Sequence, residues 1–118
     1  MEVKINIEDE INNLKLAKKF LKTLKKQLSK YGINQVKLVV YGSRVRGNFR
    51  WDSDLDILVL VDDRSFSREV VNIIRDIAGD ISWETTIPIS VMVYRESDFR
   101  EERTPFLKEV KSYGRIFK

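Results

Sequence analysis

The 118-residue sequence contains no cysteine and no histidine, and only two prolines and five glycines. The lack of cysteine excludes a disulfide framework, a thiolate nucleophile and any zinc site built on sulfur. The lack of histidine excludes a Ser-His-Asp triad, a histidine general base and a histidine-ligated metal. Any metal ion bound by these residues must therefore be held by oxygen atoms, which favours hard cations such as Mg²⁺ or Mn²⁺.

Long apolar runs are also missing. None approaches the roughly 20 residues of a transmembrane helix, and the first ten residues, MEVKINIEDE, carry acids where a signal peptide is basic and then apolar. We therefore expect a soluble, cytoplasmic protein without membrane contacts. Hydrophobic residues make up 42% and charged residues 34%, which is typical of a globular chain. The length predicts a single domain over residues 1–118.

The net charge of +4 is unevenly distributed along the chain. Residues 1–50 carry twelve Lys and Arg against four Asp and Glu, whereas residues 51–118 carry ten against fourteen, so the two parts have charges of +8 and −4. A basic first part suits a nucleic acid or a polyphosphate, and it suits a solvated helix surface equally well.

Apolar spacing predicts an amphipathic helix over about residues 7–31, ended by Gly32. Its apolar stripe consists of Leu14, Ala17, Leu21, Leu24 and Leu28, with Phe20 beside them. Seven lysines occupy the opposite arc: Lys15, Lys18, Lys19, Lys22, Lys25, Lys26 and Lys30. These lysines form either a solvated surface whose stems cover apolar neighbours, or a surface for a nucleic acid or another partner.

The rest of the chain alternates strands and helices. Strands are predicted at residues 35–41, 54–61 and 89–94, a short Gly-bounded helical segment at 42–47, and helices at 66–83 and around 106–113. Asp62, Asp63 and Ser65 are the candidate caps of the helix at 66–83, and Ser97 or Thr104 opens the last helix.

Asp54 and Asp56 are two residues apart at the start of the second strand, so their side chains project from the same face. Two carboxylates entering an apolar strand repel each other and lose hydration, which a cation between them explains. The simpler alternative is a pair of solvent-facing acids at a frayed strand end. Asp52 extends the spacing to D-x-D-x-D, but an EF-hand loop is excluded because its sixth position requires glycine and here is Ile57.

Gly42 and Ser43 follow the first strand and precede a possible helical turn. Backbone N–H groups and a hydroxyl in this arrangement can contact phosphate oxygens. Positive charge is added nearby by Arg44, Arg46 and Arg50. Most Gly-Ser pairs are simply turns, so this pair gains its meaning from the ten-residue spacing to the two aspartates.

The string GSRVRGNFRWDSDLDILV, residues 42–59, resembles the G-S-x10-D-x-D signature of the DNA polymerase β-like nucleotidyltransferase superfamily, and particularly its minimal nucleotidyltransferase (MNT) members. The resemblance implies an α+β (α/β) nucleotidyltransferase fold, in which helices pack on a small mixed β-sheet. It also implies transfer of a nucleoside monophosphate from an NTP to an acceptor hydroxyl. The implied roles are nucleotide binding for Gly42, Ser43, Arg44 and Arg46, and catalysis with binding of two Mg²⁺ or Mn²⁺ ions for Asp54 and Asp56.

One position departs from the family pattern. The superfamily generally supplies a third metal-binding carboxylate from the next core strand, and this sequence has Ser90 there. Asp62 lies about 20 Å along an extended strand from Asp56 and cannot share its ion. Glu84 would have to fold back toward the site to replace the missing acid.

Two functions follow from this reading. The first is a metal-dependent nucleotidyltransferase that moves AMP from ATP to a hydroxyl on a partner. MNT proteins are similar to antitoxins that are paired with HEPN-domain proteins, often ribonuclease toxins, so the resemblance implies a HEPN-domain partner and an antitoxin-like role. The second is a catalytically weak module of the same fold that neutralises its partner by forming a complex.

Other expectations concern nucleic acid, aromatic residues and assembly. Direct nucleic-acid binding through the lysines is a third, less favoured interpretation, and stacking of Phe49 or Trp51 on a base is a possibility. Trp83, Tyr94 and Phe106 are expected to complete the core or a partner surface. An oligomer is compatible with the sequence.

Overall fold

A computed structural model describes residues 7–41 and 55–118, with side chains described from residue 13 onward. The helices are α1 (Ile7–Ser29), α2 (Arg68–Thr85), α3 (Glu96–Arg100) and α4 (Pro105–Tyr113). The strands are β1 (Val36–Tyr41), β2 (Leu55–Val61), β3 (Ile89–Arg95) and β4 (Arg115–Phe117). The short helix predicted at residues 42–47 lies outside the described residues.

The four strands form one mixed sheet in the order β3-β2-β1-β4. β1 is antiparallel to both β2 and β4, whereas β2 is parallel to β3. Helices pack on both faces of this sheet, which confirms the predicted α+β class with a small mixed sheet. The central strands β1 and β2 are buried along most of their length, as their nearly continuous apolar sequences predict.

The sheet separates two apolar layers. On one face, α1 and α2 pack over Leu38, Val40, Leu55, Ile57, Val59 and Val61. On the other face, α3 and α4 pack over Val39, Tyr41, Leu58 and Leu60. Because side chains alternate along a strand, the position of a residue in β2 decides which of these layers it joins.

Helix α1 buries the stripe that the sequence predicts, with two differences. Leu16 is also buried, and Leu14 is only half-buried. The helix ends at Ser29, before the predicted end, and the turn after it uses Gly32 at φ +77°. The N–H of Ile33 donates to the carbonyl of Leu28 at 3.1 Å, which satisfies an orphan carbonyl of the last turn.

The cap of α2 differs from the prediction. Ser67 is the N-cap, and its Oγ accepts a hydrogen bond from the N–H of Val70 at 3.1 Å. Ser67 directly precedes the first helical turn, so its hydroxyl reaches an orphan N–H that Asp62, Asp63 and Ser65 do not cap.

The C-terminal end of α2 and the N-terminal cap of α4 can be compared with the predicted helices. Helix α2 continues through Gly79 to Thr85, so this glycine does not end it. The prediction for α4 is confirmed: Thr104 caps the N–H of Leu107 at 3.1 Å and Pro105 occupies the first turn. None of the helices in the described ranges is long and apolar enough to cross a membrane.

Candidate active site

Asp56 lies at the end of the sheet where β1 finishes and where β2 and β3 begin, called here the Asp56 end. In the strand register, Asp56 pairs with Tyr41 of β1 on one side and with Ser90 of β3 on the other. Residues directly opposite each other in neighbouring strands project to the same face of a sheet. The half-buried Asp56 carboxylate is therefore flanked by a phenol and an aliphatic hydroxyl.

Asp56 projects to the face that α3 and α4 cover. Leu58 and Leu60 alternate with Asp56 along β2, and both are buried in the layer under these two helices. The other set of alternating residues in β2, which begins with Leu55, is buried in the layer under α1 and α2. On the face of β2 that α4 covers, the side chains are thus apolar except for Asp56, which lies at the start of the strand.

Among the predicted site residues, Asp56 alone belongs to the described part of the chain. Gly42, Ser43, Arg44, Arg46 and Asp54 all lie outside the described residues. The description stops after Tyr41 and resumes at Leu55, and both of these residues lie at the Asp56 end of the sheet. The pairing of Asp54 with Asp56, and the phosphate contacts of the Gly-Ser pair, remain predictions.

Tyr41 is a neighbour of Asp56 that was not predicted as a site residue, since the sequence predicts it only as the last residue of a strand. Burial raises the pKa of Tyr41 to about 12, with smaller contributions from the negative charge of Asp56 and from Tyr113 and Tyr94. Its ring is 8% exposed and meets the ring of Phe106 edge to face, with 5.5 Å between centroids. Its phenol therefore stays neutral at physiological pH.

No signal in the sequence singles out Tyr41 as a neighbour of Asp56. Tyr41 directly precedes Gly42, and the antiparallel pairing of β1 with β2 brings it opposite Asp56. Pairing across strands cannot be read from apolar alternation along a single strand, because many registers satisfy the same alternation.

Ser90 is the β3 residue in register with Asp56. Glu84 does not fold back toward it, because its carboxylate accepts a hydrogen bond from Lys19 Nζ at 3.1 Å in the layer of α1 and α2. Asp63 lies beyond the other end of β2, where its carboxylate accepts from the N–H of Ser97 at 3.2 Å. Neither acid takes the place of a third carboxylate beside Asp56.

The donors at this end of the sheet suit a hard cation. Within residues 7–41 and 55–118, no group of three or more carboxylates, cysteines or histidines is arranged to hold a metal ion. The Asp56 carboxylate and the neighbouring Ser90 hydroxyl are oxygen donors, the type that Mg²⁺ and Mn²⁺ prefer. The metal site predicted from Asp54 and Asp56 therefore fits in donor chemistry and requires Asp54.

Trp83 lies near the C-terminal end of α2 and is 89% exposed. Together with Ser82, Thr86 and Pro88 it lines a surface pocket of about 410 Å³. This pocket lies toward the Asp56 end, since the carbonyl of Pro88 accepts a hydrogen bond from the N–H of Leu55 at 2.8 Å. Of the two expectations for Trp83, a place in the core is therefore excluded and a partner surface stays a prediction, whereas Tyr94 and Phe106 do pack against the α4 layer.

Comparisons with known proteins agree on one family. A family model described as "Nucleotidyltransferase domain" matches residues 17–116. The chain is 33% identical over 78 residues to the "Putative protein adenylyltransferase MJ0141" of Methanocaldococcus jannaschii, an alignment that covers 66% of this chain and 74% of that protein. No solved structure matches the chain significantly.

Proposed function

Since the chain belongs to the nucleotidyltransferase domain family, we propose that it transfers AMP from ATP to a hydroxyl of a partner protein and releases pyrophosphate. The observation that carries this proposal is the G-S-x10-D-x-D spacing, whose last residue is Asp56, at the end of the sheet between Tyr41 and Ser90. The similarity to the "Putative protein adenylyltransferase MJ0141" supports AMP as the transferred group and a protein as the acceptor.

The proposed reaction divides its tasks among the residues of the signature. Gly42 and Ser43 bind the triphosphate, with Arg44 and Arg46 supplying positive charge. Asp54 and Asp56 hold Mg²⁺ or Mn²⁺, which when bound neutralises the charge on the pyrophosphate and lowers the pKa of the attacking hydroxyl. We propose that these six residues together form the active site.

The proposed reaction is one nucleotidyl transfer, in which one bond forms and one bond breaks at the α-phosphorus. The acceptor oxygen forms a bond to the α-phosphorus of ATP, and the bond between that phosphorus and the pyrophosphate oxygen breaks, with its electron pair leaving on pyrophosphate. The acceptor hydroxyl releases its proton to solvent. The neutral Tyr41 phenol adds no negative charge beside Asp56, so it does not oppose the approach of a triphosphate.

The proposal is tested by changing both aspartates of the signature to asparagine. Asp54→Asn with Asp56→Asn should lower transfer of α-labelled AMP to the partner by more than about 100-fold, because an amide is a poor ligand for a hard cation. Asp62→Asn is a matched control, since this acid follows the opposite end of β2, and it should keep near-normal transfer. Unchanged transfer in the double variant would contradict the proposed role of the two aspartates.

A second candidate function is a catalytically weak module that acts by binding its partner. The observation that favours it is the register of Ser90 with Asp56, which puts a hydroxyl where the family supplies a third carboxylate. If this function is correct, the natural protein forms a stable complex without transferring label, and Ser90→Asp gains transfer activity. Strong transfer by the natural protein would rule this candidate out, and Ser90→Ala controls for the loss of the hydroxyl.

For the partner we propose a HEPN-domain protein, which the chain would neutralise in an antitoxin-like role. The exposed indole of Trp83 beside its pocket supports a protein contact toward the Asp56 end, since exposed tryptophans are common anchors of protein interfaces. Trp83→Ala should weaken the complex with the HEPN-domain protein, measured by titration calorimetry, while the melting temperature stays near that of the natural protein. An unchanged affinity would remove Trp83 from the interface.

A further inference from the structure

Six lysines on the outer surface of α1 and a seventh in the turn directly after it are called here the lysine face. It consists of Lys15, Lys18, Lys19, Lys22, Lys25, Lys26 and Lys30, and all seven are exposed. From residue 11 to residue 51 the sequence contains no Asp or Glu at all. Lys19 does pair with Glu84 of α2 at 3.1 Å, and the two side chains are 49% and 65% exposed. The lysine face is therefore a concentrated patch of positive charge.

This arrangement works against the stability of the helix that carries it. Lys15 and Lys19, Lys18 and Lys22, and Lys22 and Lys26 are each four residues apart, so their ammonium groups are neighbours on the helix surface. Like charges at this spacing destabilise a helix, and surfaces shaped only for solubility mix both signs. Hydration alone does not account for such a face, whereas a polyanionic ligand would turn the repulsion into attraction.

The composition of the lysine face distinguishes between two kinds of polyanion. Protein interfaces have an apolar centre and are depleted in lysine. Between residues 15 and 30 the apolar side chains of α1 are turned into the core, and Ser29, which lies among the lysines, is exposed and polar. Nucleic-acid interfaces, in contrast, are strongly basic, and most of their contacts are made to phosphates.

The length of the face also matches an extended chain of phosphates. Lys15 and Lys26 are separated by about 16 Å along the axis of α1, at 1.5 Å per residue, and every turn between them presents a lysine. Lys30 extends the face into the turn after the helix. We propose that the lysine face binds the phosphate backbone of a nucleic acid. Because α1 covers the face of the sheet opposite to that of Asp56, this binding site is separate from the candidate active site.

The test compares two triple variants that change the net charge equally. Lys18→Glu, Lys22→Glu and Lys25→Glu alter the lysine face, and Arg68→Glu, Arg75→Glu and Lys108→Glu alter exposed cations on α2 and α4. Binding to a labelled 30-nucleotide mixed-sequence RNA, and to a 20-base-pair DNA duplex, is followed by fluorescence anisotropy between 50 and 200 mM salt.

We expect the lysine-face variant to bind the RNA at least about 50-fold more weakly at low salt, and the control variant less than about threefold more weakly. The slope of log affinity against log salt should fall by about 2 for the lysine-face variant, since each lost contact to a single strand removes about 0.7. A triple Lys→Gln variant at the same positions should show a smaller loss in the same direction. Circular dichroism checks that each variant keeps its helices.

Three outcomes would overturn the proposal. An equal loss in both triple variants would show that net charge alone attracts the RNA. Tighter binding of a polyglutamate peptide than of RNA at equal salt would assign the face to an acidic protein. Undetectable binding of both nucleic-acid probes at 50 mM salt would show that the lysines are a solvated surface only.

Discussion

Three side chains from three strands meet at the Asp56 end: Tyr41, Asp56 and Ser90. Two of them could be chosen from the sequence, Asp56 by its spacing from the Gly-Ser pair and Ser90 by its position in the third strand. Tyr41 could not be chosen, because its importance comes from a pairing across strands and from the burial that α4 provides. The roles of residues 42–54, which lie outside the described part of the chain, stay predictions, including the role of Asp54.

The raised pKa of Tyr41 leads to a prediction about alkaline pH. Its folded pKa of about 12 exceeds the usual value of 10, so the folded state holds the phenolic proton more tightly than the unfolded state. This contribution to stability is complete below pH 10 and is lost as pH rises toward 12. Spectrophotometric titration of the folded protein should resolve a phenol near pH 12 that is missing in Tyr41→Phe.

Tyr41→Phe also supplies the comparison for stability. It keeps the edge-to-face contact with Phe106 and removes the ionisable group, so its unfolding free energy should fall less between pH 10 and 11 than that of the natural protein. Tyr31→Phe is the matched control, because Tyr31 is 58% exposed. Titration of all tyrosines together near pH 10 would contradict the burial of Tyr41.

Among the elements, long periodic segments were predictable and short ones were not. α1 and α2 repeat apolar residues over several turns, so their position and buried faces follow from the sequence. β4 has three residues, Arg115–Phe117, and α3 has five, too few for a period to be recognised. Both short elements are held by their neighbours, since β4 adds to β1 and α3 directly continues from β3.

The cap of α2 gives a prediction about helix stability. Ser67→Ala leaves the N–H of Val70 without its hydroxyl partner, and the free energy of unfolding should fall by about 1 kcal/mol. Ser65→Ala serves as the control, because Ser65 was a predicted cap but does not cap the helix, and it should change stability by less than about 0.5 kcal/mol. Urea unfolding followed by circular dichroism measures both, and equal effects would argue against Ser67 as the cap.

Two glycines should respond in opposite ways to alanine. Gly79 lies within α2 with no neighbouring atom within 4 Å of an added Cβ, so Gly79→Ala should stabilise the protein by about 0.5–1 kcal/mol. A Cβ on Gly114 would lie 2.6 Å from Val39 Cγ1 and 2.7 Å from the carbonyl oxygen of Val110, so Gly114→Ala should destabilise it by about 1–3 kcal/mol. Thermal unfolding tests both, and a stabilising Gly114→Ala would contradict the close packing of α4 on β1.

In the whole molecule, the candidate active site and the lysine face lie on opposite sides of the sheet. Asp56 projects under α4, whereas the lysine face is on the outer side of α1. The fold class was predictable because one motif and the order of elements agree with each other across the chain, and agreement between levels is what specifies a fold. The acceptor that we propose belongs to another molecule, so no pattern in this sequence identifies it.

The reaction that we propose for the protein transfers AMP and not a phosphate. The most direct measurement incubates it with Mg²⁺ and a HEPN-domain partner, using ATP labelled at either the α- or the γ-phosphate. We expect the partner to retain the α-label only, because pyrophosphate carries the γ-label away. A partner that forms a stable complex but retains neither label, or one that retains the γ-label, would contradict it.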